Sequence, residues 1–440
     1  MSTRSVAVVG HITALVVALA AWKGGEGGAG SSGPWGTSAG GCANAAGPVV
    51  ALRGPQPVAF DRDKVGGGTR VDATTAQFLP PPTKHIAVHI AGGSGICWSG
   101  GEALASYPPA ASWNTIHETY GMVVGVTNRA DAPAFTVENF TSFAYGKGVS
   151  FDAGGDVTWT VRNLHVVYGR DDCIENDWYN SGLVDSSFLD GCYDVMSSLQ
   201  DEGLTVPEGR ANVVTIRNSL LRLQVMDGIY EVRELPPRHE GFWKWSVSRG
   251  PKLSLFDNVF FADDSSIGSN HADMYMAPPP GRLGECANNV MIWEGNGPFP
   301  EPLPACFKLV TGQAGLQFWD SVAALWIARH PPTLPDAAPP VVSLFRPGLM
   351  GSPVLVGQVT LIATAVDDRG VAGVQFRIDG QDIGPEVRAP TPVGKDRFTK
   401  YRLVWDSHQL ANGPHSLTAT ARDAAGHTAT AVAVAVTIRN

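Results

Sequence analysis

The sequence is poor in charge, and its few charges form no run of one sign. Charged residues make up 17% of the 440 positions, and 32 Lys and Arg stand against 41 Asp and Glu, a net charge of −9. A nucleic-acid-binding surface needs a concentrated basic patch. The charge pattern therefore gives no support to nucleic acid as a partner.

Long apolar runs are also missing. The longest follows Arg4, covers residues 6–19 and is broken by polar residues and glycine, so it falls short of the ~20 residues that span a membrane. It ends in the small-residue pattern Ala18-Leu19-Ala20. We expect residues 1–21 to be a cleaved export signal, with a membrane anchor as the alternative. The mature chain is then a secreted, extracellular protein without a membrane span.

Cysteine is scarce, and no CxxC pair occurs among the six cysteines, which disfavours a structural zinc site. In an exported chain an even number of cysteines indicates disulfides. Six cysteines allow 15 pairings, and closeness along the chain favours three of them. The favoured pairs are Cys42 with Cys97, Cys173 with Cys192, and Cys286 with Cys306.

Glycine and proline are abundant, with 51 and 32 residues spread along the chain, which favours many short strands joined by turns. Residues 22–83 read as a Gly- and Pro-rich lead-in with an N-terminal cap, and 84–331 as a series of short alternating strands. A Pro-rich linker covers 332–340. Alternating strands over 341–440 predict a β-sandwich.

The strands of the central region repeat. An apolar-x-polar step ends in an asparagine or serine at intervals of 24 and 23 residues, and then at longer intervals that carry insertions. Such residues bond the backbone of their own turn and tolerate left-handed geometry, so stacked copies form a ladder. The predicted corner residues are Asn139, Asn163, Ser186, Asn218, Asn258 and Asn289.

These repeats resemble the right-handed parallel β-helix of the pectate-lyase-like superfamily, with an ordinary β-sandwich as the alternative. The C-terminal stretch "WDSHQLANGPHSLTATARDAAGHT" resembles the bacterial Ig-like domains appended to secreted enzymes and adhesins. That second resemblance implies attachment, spacing or carbohydrate contact. The predicted fold class is all-β: a right-handed parallel β-helix followed by an Ig-like β-sandwich.

The acidic stretch "GRDDCIEND", residues 169–177, is the main candidate for chemistry. Equivalent positions on successive coils lie ~4.8 Å apart, so distant residues form a column. Taking Val149, Ile174, Val195 and Ile229 as equivalent core positions, the column lies two residues before each. It contains Lys147, Asp172, Tyr193 and Asp227, with Asp194 beside Tyr193.

Three kinds of site remain open for this acidic region. A glycoside hydrolase needs one protonated and one ionised carboxyl group, which Asp172 with Asp194 or Asp227 would supply, with Asp171 beside them. A polysaccharide lyase needs a cation for a uronate and a base. A calcium site would use Asp171, Asp172, Glu175 and Asp177, and Ca²⁺ is the one cofactor considered. The structural alternative is that these acids cap a turn and face solvent.

An insertion over residues 234–252 interleaves aromatic and basic residues, as expected of a groove wall that stacks on sugar rings. The alternative is a loop whose aromatic residues pack onto the coil. The predicted substrate-binding residues are Lys147, Arg170, Tyr193, Arg233, His239, Trp243, Lys244, Trp245 and Arg249.

The polygalacturonase-type members of the superfamily carry an Asp-Asp motif, matched here at 171–172, and a Gly-His-Gly and an Arg-x-Lys motif, which are not found in suitable places. The resemblance therefore implies activity only at superfamily level. The predicted function is cleavage of an extracellular polysaccharide, with acidic glycans among the candidates, by hydrolysis or β-elimination. The protein is expected to be a monomer. The alternatives are a non-catalytic adhesion or glycan-binding protein, attached to a cell surface or free, and a calcium-stabilised scaffold.

Overall fold

A computed structural model describes most of the chain, and every structural statement below concerns these residues. They are 41–42, 46–62, 65–79, 86–112, 115–116, 122–126, 134–151, 157–200, 208–226, 238–263, 273–345, 353–390 and 397–440. The predicted export signal lies outside them. Within them the architecture is a parallel β-helix followed by an Ig-like β-sandwich, which confirms the predicted fold class.

One large sheet of 23 strands winds through the first part of the described chain. Its strands are β1 Val49–Gln56, β2 Phe60–Arg62, β3 Arg70–Phe78, β4 Val88–Ile90, β5 Ile96–Ser99, β6 Glu102–Leu104, β7 Met122–Val126, β8 Ala134–Glu138, β9 Thr141–Phe143, β10 Lys147–Ser150, β11 Thr158–Arg162, β12 His165–Glu175, β13 Ser181–Asp185, β14 Phe188–Ser198, β15 Val213–Arg217, β16 Leu220–Leu223, β17 Gly241–Trp245, β18 Lys252–Phe256, β19 Val259–Ala262, β20 Met274–Tyr275, β21 Leu283–Ala287, β22 Asn289–Trp293 and β23 Phe307–Thr311.

Neighbouring coils pair in parallel on three faces, although β20 pairs antiparallel with β17. One face stacks β8, β11, β13, β15 and β18, and a second stacks β9, β12, β14, β16, β19 and β22. The third, here the carboxylate face, stacks β10, the second half of β12, the second half of β14, and β17. Parallel pairing already begins between β1 and β3, so the coils start at Val49, upstream of the predicted start at residue 84.

The corner between the first two faces is the repeated asparagine corner. Asn139, Asn163, Ser186 and Asn218 all have left-handed backbone geometry, with φ between 48° and 56°. An Asn side chain tolerates this region better than most, and the Nδ2 of Asn163 donates to the Oδ1 of Asn139 at 2.9 Å. The predicted ladder is therefore present.

In the later coils the corner residue lies one position earlier than predicted. Asp257 and Asn288, not Asn258 and Asn289, have the left-handed φ, at 54° and 57°. Asn258 and Asn289 belong to a second, buried ladder. The Asn289 Oδ1 accepts from the Asn258 backbone amide at 3.2 Å, and the Asn258 Oδ1 accepts from the Ser219 amide at 3.1 Å. These bonds satisfy backbone donors that the corner leaves unpaired inside the coil.

All three predicted disulfides are formed: Cys42–Cys97, Cys173–Cys192 and Cys286–Cys306. The second of them joins the two coils that carry β12 and β14. Inside the coils, apolar side chains of all three faces make one core, which includes Val149, Ile174 and Met196. The carboxylate face therefore rests on a continuous apolar layer and a covalent cross-link.

A helix follows the last coil, where only strands were predicted. Helix α1 covers Gly312–Arg329 and buries Phe318, Val322 and Trp326 at the four-residue spacing of one helix face. These side chains pack on the outward residues of the second face, among them Phe188. The indole Nε1 of Trp326 donates to the Ser186 carbonyl at 2.9 Å. The helix thus covers the outside of the coils.

The C-terminal part is a two-sheet sandwich with its own core. Its strands are β24 Val341–Leu344, β25 Val354–Leu355, β26 Gln358–Val366, β27 Val371–Ile378, β28 Gln381–Asp382, β29 Lys400–Asp406, β30 Gly413–Asp423, β31 Thr428–Thr430 and β32 Val434–Ile438. One sheet has the order β24-β26-β29 and the other β25-β32-β30-β27-β28, with β31 paired to β30. A short 3-10 helix covers Ser407–Gln409.

Ion pairs and a ring contact join the sandwich to the coils. Arg369 binds Glu102 of β6, and Arg397 binds Asp320 of α1 at 2.7 Å. The guanidinium of Arg222 lies 3.9 Å from the centre of the Phe398 ring. The sandwich therefore contacts both the coils and the helix that covers them.

Candidate carboxylate site on the beta-helix

The candidate site begins at a bend within β12 and β14. Pairing between these strands shifts register between Gly169 and Asp172, and resumes with Asp172 opposite Asp194. In the next coil Asp194 lies opposite Gly241, because β17 follows β14 on this face. The chain thus places Asp172 and Asp194 at equivalent positions on neighbouring coils, whereas the predicted column had Tyr193 at this position and Asp194 beside it.

The rest of the predicted column needs correction. Ile174 pairs with Met196 rather than Val195, so the residue two positions earlier is Asp194 and not Tyr193. Tyr193 packs in the core, where its hydroxyl accepts a hydrogen bond from the Arg238 Nε at 3.3 Å. In the following coil Gly241 takes the place predicted for Asp227, which lies outside the described residues.

Asp172 and Asp194 are buried, with 1% and 0% of their surface exposed. All four carboxylate oxygens lack a hydrogen bond of good geometry to the described residues. The Nζ of Lys244 lies 3.8 Å from the Asp172 Oδ2, which is an ion pair without a hydrogen bond. Buried carboxyl groups are usually hydrogen-bonded, so this pair is unusual.

The surroundings strongly favour the protonated forms. Burial raises the pKa of Asp172 well above its usual value, Lys244 opposes this, and Asp171 and Asp194 add to it. Burial also raises the pKa of Asp194 well above its usual value, and the carboxylate of Glu240 is the next largest cause. Asp172 thus has a cation as its strongest charged neighbour, whereas Asp194 has an acid.

Two more acids, Glu175 and Asp177, already have partners within the protein. Glu175 binds Lys147 and accepts from the Ser150 hydroxyl at 2.9 Å. Asp177 accepts from the Ser197 hydroxyl at 2.5 Å and from the Leu199 amide at 3.0 Å. Burial, and next the Glu175 carboxylate, raise the pKa of Asp177 to about 7.

The predicted calcium ligands do not gather into a compact group. Asp171, Asp172, Glu175 and Asp177 supply no set of three carboxylates with ligand atoms within 4.8 Å of one another among the described residues. Ca²⁺ requires six to eight oxygens around one point. The known partners of Glu175 and Asp177 thus give the calcium hypothesis no support, and it stays a prediction.

The two lysines of the site remain charged. Burial alone lowers the pKa of Lys244, but Asp172, Asp171 and other carboxylates outweigh it, and the pKa is raised well above its usual value. The pKa of Lys147 is likewise raised, because the carboxylate of Glu175 and its acidic neighbours outweigh burial. Each cation is thus held in a surplus of acids, to which Asp171, itself buried, contributes.

Several predicted substrate-binding residues are buried inside the protein. Trp243 and Trp245 lie in the core with rings 6.1 Å apart, and the Trp245 Nε1 donates to the Pro251 carbonyl at 3.0 Å. Arg170 is fully buried and donates to the carbonyls of Pro108, Pro109 and Ala111 at 2.8 to 2.9 Å. It supports a loop of the protein itself.

Of the remaining predicted substrate-binding residues, neither His239 nor Arg249 is fully exposed. His239 is fully buried, and Arg249 is half-buried and donates to the Gln200 Oε1 at 3.0 Å. Arg233 lies outside the described residues. Only Lys147 and Lys244, of the predicted substrate-binding set, are positioned among the carboxylates. Glu240, which no sequence pattern singled out, belongs to the site through its effect on Asp194.

Comparison with known proteins identifies one part of the chain. Residues 340–419 match the family model described as Bacterial Ig domain. No curated protein matches the chain. The match covers less than half of the sequence, so it defines the class of the C-terminal domain and leaves the pectate-lyase-like superfamily a prediction.

Two solved structures are similar at a low level. Fibronectin(III)-like modules of Clostridium thermocellum CbhA are 21% identical with a TM-score of 0.16, over 24% of this chain and 48% of that chain. The endo-beta-1,4-mannanase of Thermotoga petrophila is 11% identical with a TM-score of 0.19, over 44% of this chain and 33% of that chain. Likeness at this level carries no functional argument, and this chain spans less than half of either structure.

The disulfides and the bacterial Ig domain fit an extracellular protein. Within the described ranges, no helix is long and apolar enough to cross a membrane.

Proposed function

We propose that the protein cleaves an extracellular polysaccharide and that Asp172 and Asp194 carry the reaction. The observation behind the proposal is that these two buried carboxyl groups are register partners on adjacent coils and lack good hydrogen bonds. The strongest charged neighbour of Asp172 is a cation, and that of Asp194 is an acid. Pairs of acids whose surroundings separate their proton affinities are typical of acid/base catalysis.

The charged neighbours of the two acids support different roles for them in the proposed reaction. Glu240 disfavours the charge of Asp194, so Asp194 keeps its proton and is the general acid. Lys244, 3.8 Å from Asp172, makes Asp172 the first of the two to ionise. This division is what a glycoside hydrolase requires.

The spacing of the coils favours a two-step reaction. Adjacent parallel strands lie ~4.8 Å apart, nearer to the ~5 Å between carboxyl groups of the nucleophilic route than to the ~6.5 to 9.5 Å of direct attack by water. Asp194 would give its proton to the glycosidic oxygen while the bond to the anomeric carbon breaks and the Asp172 carboxylate forms an ester there. Water, losing a proton to Asp194, would then replace Asp172 on that carbon.

The partners that the basic side chains already have favour hydrolysis over β-elimination. A lyase needs a cation for the uronate carboxylate, but Lys147 binds Glu175, Lys244 is paired with Asp172, and the terminal nitrogens of Arg170 donate to backbone carbonyls. Both catalytic carboxyl groups are less than 2% exposed. A glycan therefore reaches them only when covering residues move, and an opening step precedes chemistry.

The test is a screen of the purified protein against neutral and acidic polysaccharides. Released reducing ends report hydrolysis, and absorbance of an unsaturated product reports elimination. We expect reducing ends without unsaturated product, and a loss of about 100-fold or more for Asp194→Asn, in line with the usual contribution of a general acid. Asp172→Asn should lose activity as well.

The matched control is Asp190→Asn, on the same strand β14. Asp190 is partly exposed and its carboxylate binds Arg222 at 2.6 Å on the second face. This variant should retain wild-type activity. Cleavage that survives unchanged in both Asp172→Asn and Asp194→Asn would refute the site, and saturable glycan binding without any cleavage would favour the non-catalytic binding alternative.

A further inference from the structure

A second group of ionisable residues lies where the linker meets the Ig-like domain, away from the carboxylate site. Asp336 belongs to the linker, Asp423 ends β30, and His427 comes directly before β31. One ligand atom from each lies within 4.8 Å of the others. Within the described part of the chain, this is the group of three metal-binding side chains that converges.

The turn from β30 to β31 holds two of these groups in place. The Oδ1 of Asp423 accepts from the backbone amides of Gly426 at 2.6 Å and His427 at 2.9 Å, which fixes the carboxylate. Its Oδ2 is left 2.8 Å from the His427 Nδ1. The Asp336 Oδ1 approaches the same nitrogen at 3.9 Å, from a different segment.

A third carboxylate points to a missing positive partner. Asp367 is only 6% exposed, and its Oδ1 accepts from the Arg369 amide at 2.9 Å. Its Oδ2 is buried without a hydrogen bond, as is the Oδ1 of Asp336. Asp336 and Asp423 are its charged neighbours, and together with burial, the largest cause, they raise the pKa of Asp367 to about 7.

Among the described residues, no lysine or arginine forms an ion pair with Asp336, Asp367 or Asp423. The nearby guanidinium of Arg369 is directed to Glu102 and Asp368. Unpaired buried carboxylates cost several kcal/mol unless a proton or a cation joins them. Asp336, Asp367 and Asp423 therefore place three carboxylates close to one imidazole, where they favour the binding of a proton or a cation.

Two other His-Asp pairs of the same domain show what such a pair does alone. His408 lies 2.7 Å from Asp406, and His415 lies 2.6 Å from Asp379. Both support local turns, and neither belongs to a converging group among the described residues. A turn therefore needs one carboxylate, and the additional acids around His427 require another explanation.

We propose that Asp336, Asp423 and His427 bind a divalent cation, with the buried carboxylate of Asp367 as a charged neighbour of the site. An imidazole with carboxylates suits Zn²⁺ or Mn²⁺, whereas Ca²⁺ prefers oxygen ligands alone. The ion would displace the proton shared by His427 and Asp423. Because Asp336 is in the linker, the ion would cross-link the linker to the Ig-like domain and fix the domain beside the β-helix.

The test uses the full chain after dialysis against a chelator. Calorimetric titration with Zn²⁺, Mn²⁺ and Ca²⁺ separately should show one site, with Zn²⁺ tightest and Ca²⁺ weakest. Asp336→Asn and His427→Gln should each weaken Zn²⁺ binding tenfold or more. Zn²⁺ should raise the unfolding midpoint of the wild type, since a ligand of the native state stabilises it, but not that of these variants.

The control is His408→Gln, which removes an exposed histidine of the same domain and should bind Zn²⁺ like the wild type. Absence of saturable binding, or equal affinity in Asp336→Asn and wild type, would overturn the site. Loss of binding in the control would assign the ion to surface histidines instead. Ca²⁺ binding tighter than Zn²⁺ would overturn the metal class. If His427→Gln fails to fold, Asp336→Asn decides alone, because an isosteric change in the linker leaves both cores intact.

Discussion

The ammonium group of Lys244 reaches the carboxylate of Asp172 across an intervening strand. Lys244 is on β17 and Asp172 on β12, with β14 between them, and the two charges are 3.8 Å apart. Asp194, on the strand between, has no such ion pair among the described residues. Lys244 lowers the pKa of both acids, but it is the strongest charged neighbour only of Asp172, because Glu240 has the larger effect on Asp194.

Lys244→Gln should change the pH dependence of cleavage. Without the ammonium group the pKa of Asp172 rises further, because an opposite charge at this distance lowers a carboxyl pKa by about 1 to 3 units. The acidic limb of kcat/KM should therefore move to higher pH by about 1 unit or more. Lys252→Gln, an exposed lysine on β18, is the control. An unmoved acidic limb would show that Asp172 is not the ionised partner.

Asp194→Asn should make stability less dependent on pH. The folded protein holds the Asp194 proton to a pKa well above the usual 3.8, so the wild type loses stability as pH rises from that value through the raised pKa. The loss is about 1.4 kcal/mol for each pH unit between the two pKa values. Urea unfolding from pH 4 to 8 should show the variant becoming steadily more stable than the wild type. An equal pH slope in both proteins would contradict the buried proton.

His165 should act on stability in the opposite direction. Burial lowers its pKa from 6.5 to about 4, and the ring stacks on Phe188 at 5.3 Å beside Trp326. Unfolding therefore takes up a proton between these values, and stability falls as pH drops from 6.5 to about 4. His165→Phe, which retains the stacking, should lose this decline, whereas His408→Gln should keep it. Calorimetric unfolding at pH 4, 5 and 7 measures the difference.

The disulfides provide a matched pair for separating stability from activity. Cys173–Cys192 and Cys286–Cys306 close loops of nearly equal length, with separations of 19 and 20, so removal of either as a double Ala variant should cost about 3 kcal/mol. Only the first adjoins Asp172 and Asp194. Its loss should lower kcat at a temperature where both variants are folded, and equal kcat values would show that the cross-link does not position the site.

The parts of the fold set by local chemistry were predictable. The 24- and 23-residue intervals identified the corners at Asn163 and Ser186 because a left-handed residue is required there. At Asp257-Asn258 two adjacent residues both suit that geometry, so the pattern alone did not decide between them. The structure uses the first at the corner and the second in the buried ladder.

Register within a bent strand was harder to predict. The pairing of β12 with β14 shifts register between Gly169 and Asp172, and beyond this shift Asp172 lies opposite Asp194 rather than Tyr193. Such a shift depends on contacts between coils rather than on local sequence. For Trp243 and Trp245, by contrast, a signal was present, because the polar Lys244 between them marks a strand with both tryptophans on one face.

Helix α1 also had a usable signal. Phe318, Val322 and Trp326 recur every four residues, which is a helical period and not a strand period. The convergence of Asp336 with Asp423 and His427 had none, because Asp336 is distant from the other two in sequence and meets them only when the linker folds against the sandwich.

The carboxyl pair lies in the interior of the solenoid, and this position limits how its electrostatic repulsion can be relieved. In a solenoid each coil contacts only its neighbours, so terminal coils open most readily and inner coils open only with the units on both sides. Asp172 and Asp194 occupy inner coils, joined by Cys173–Cys192. The repulsion between these two buried carboxyl groups therefore acts where local unfolding is most cooperative. Fraying does not relieve it, so it raises the pKa values of the two groups instead.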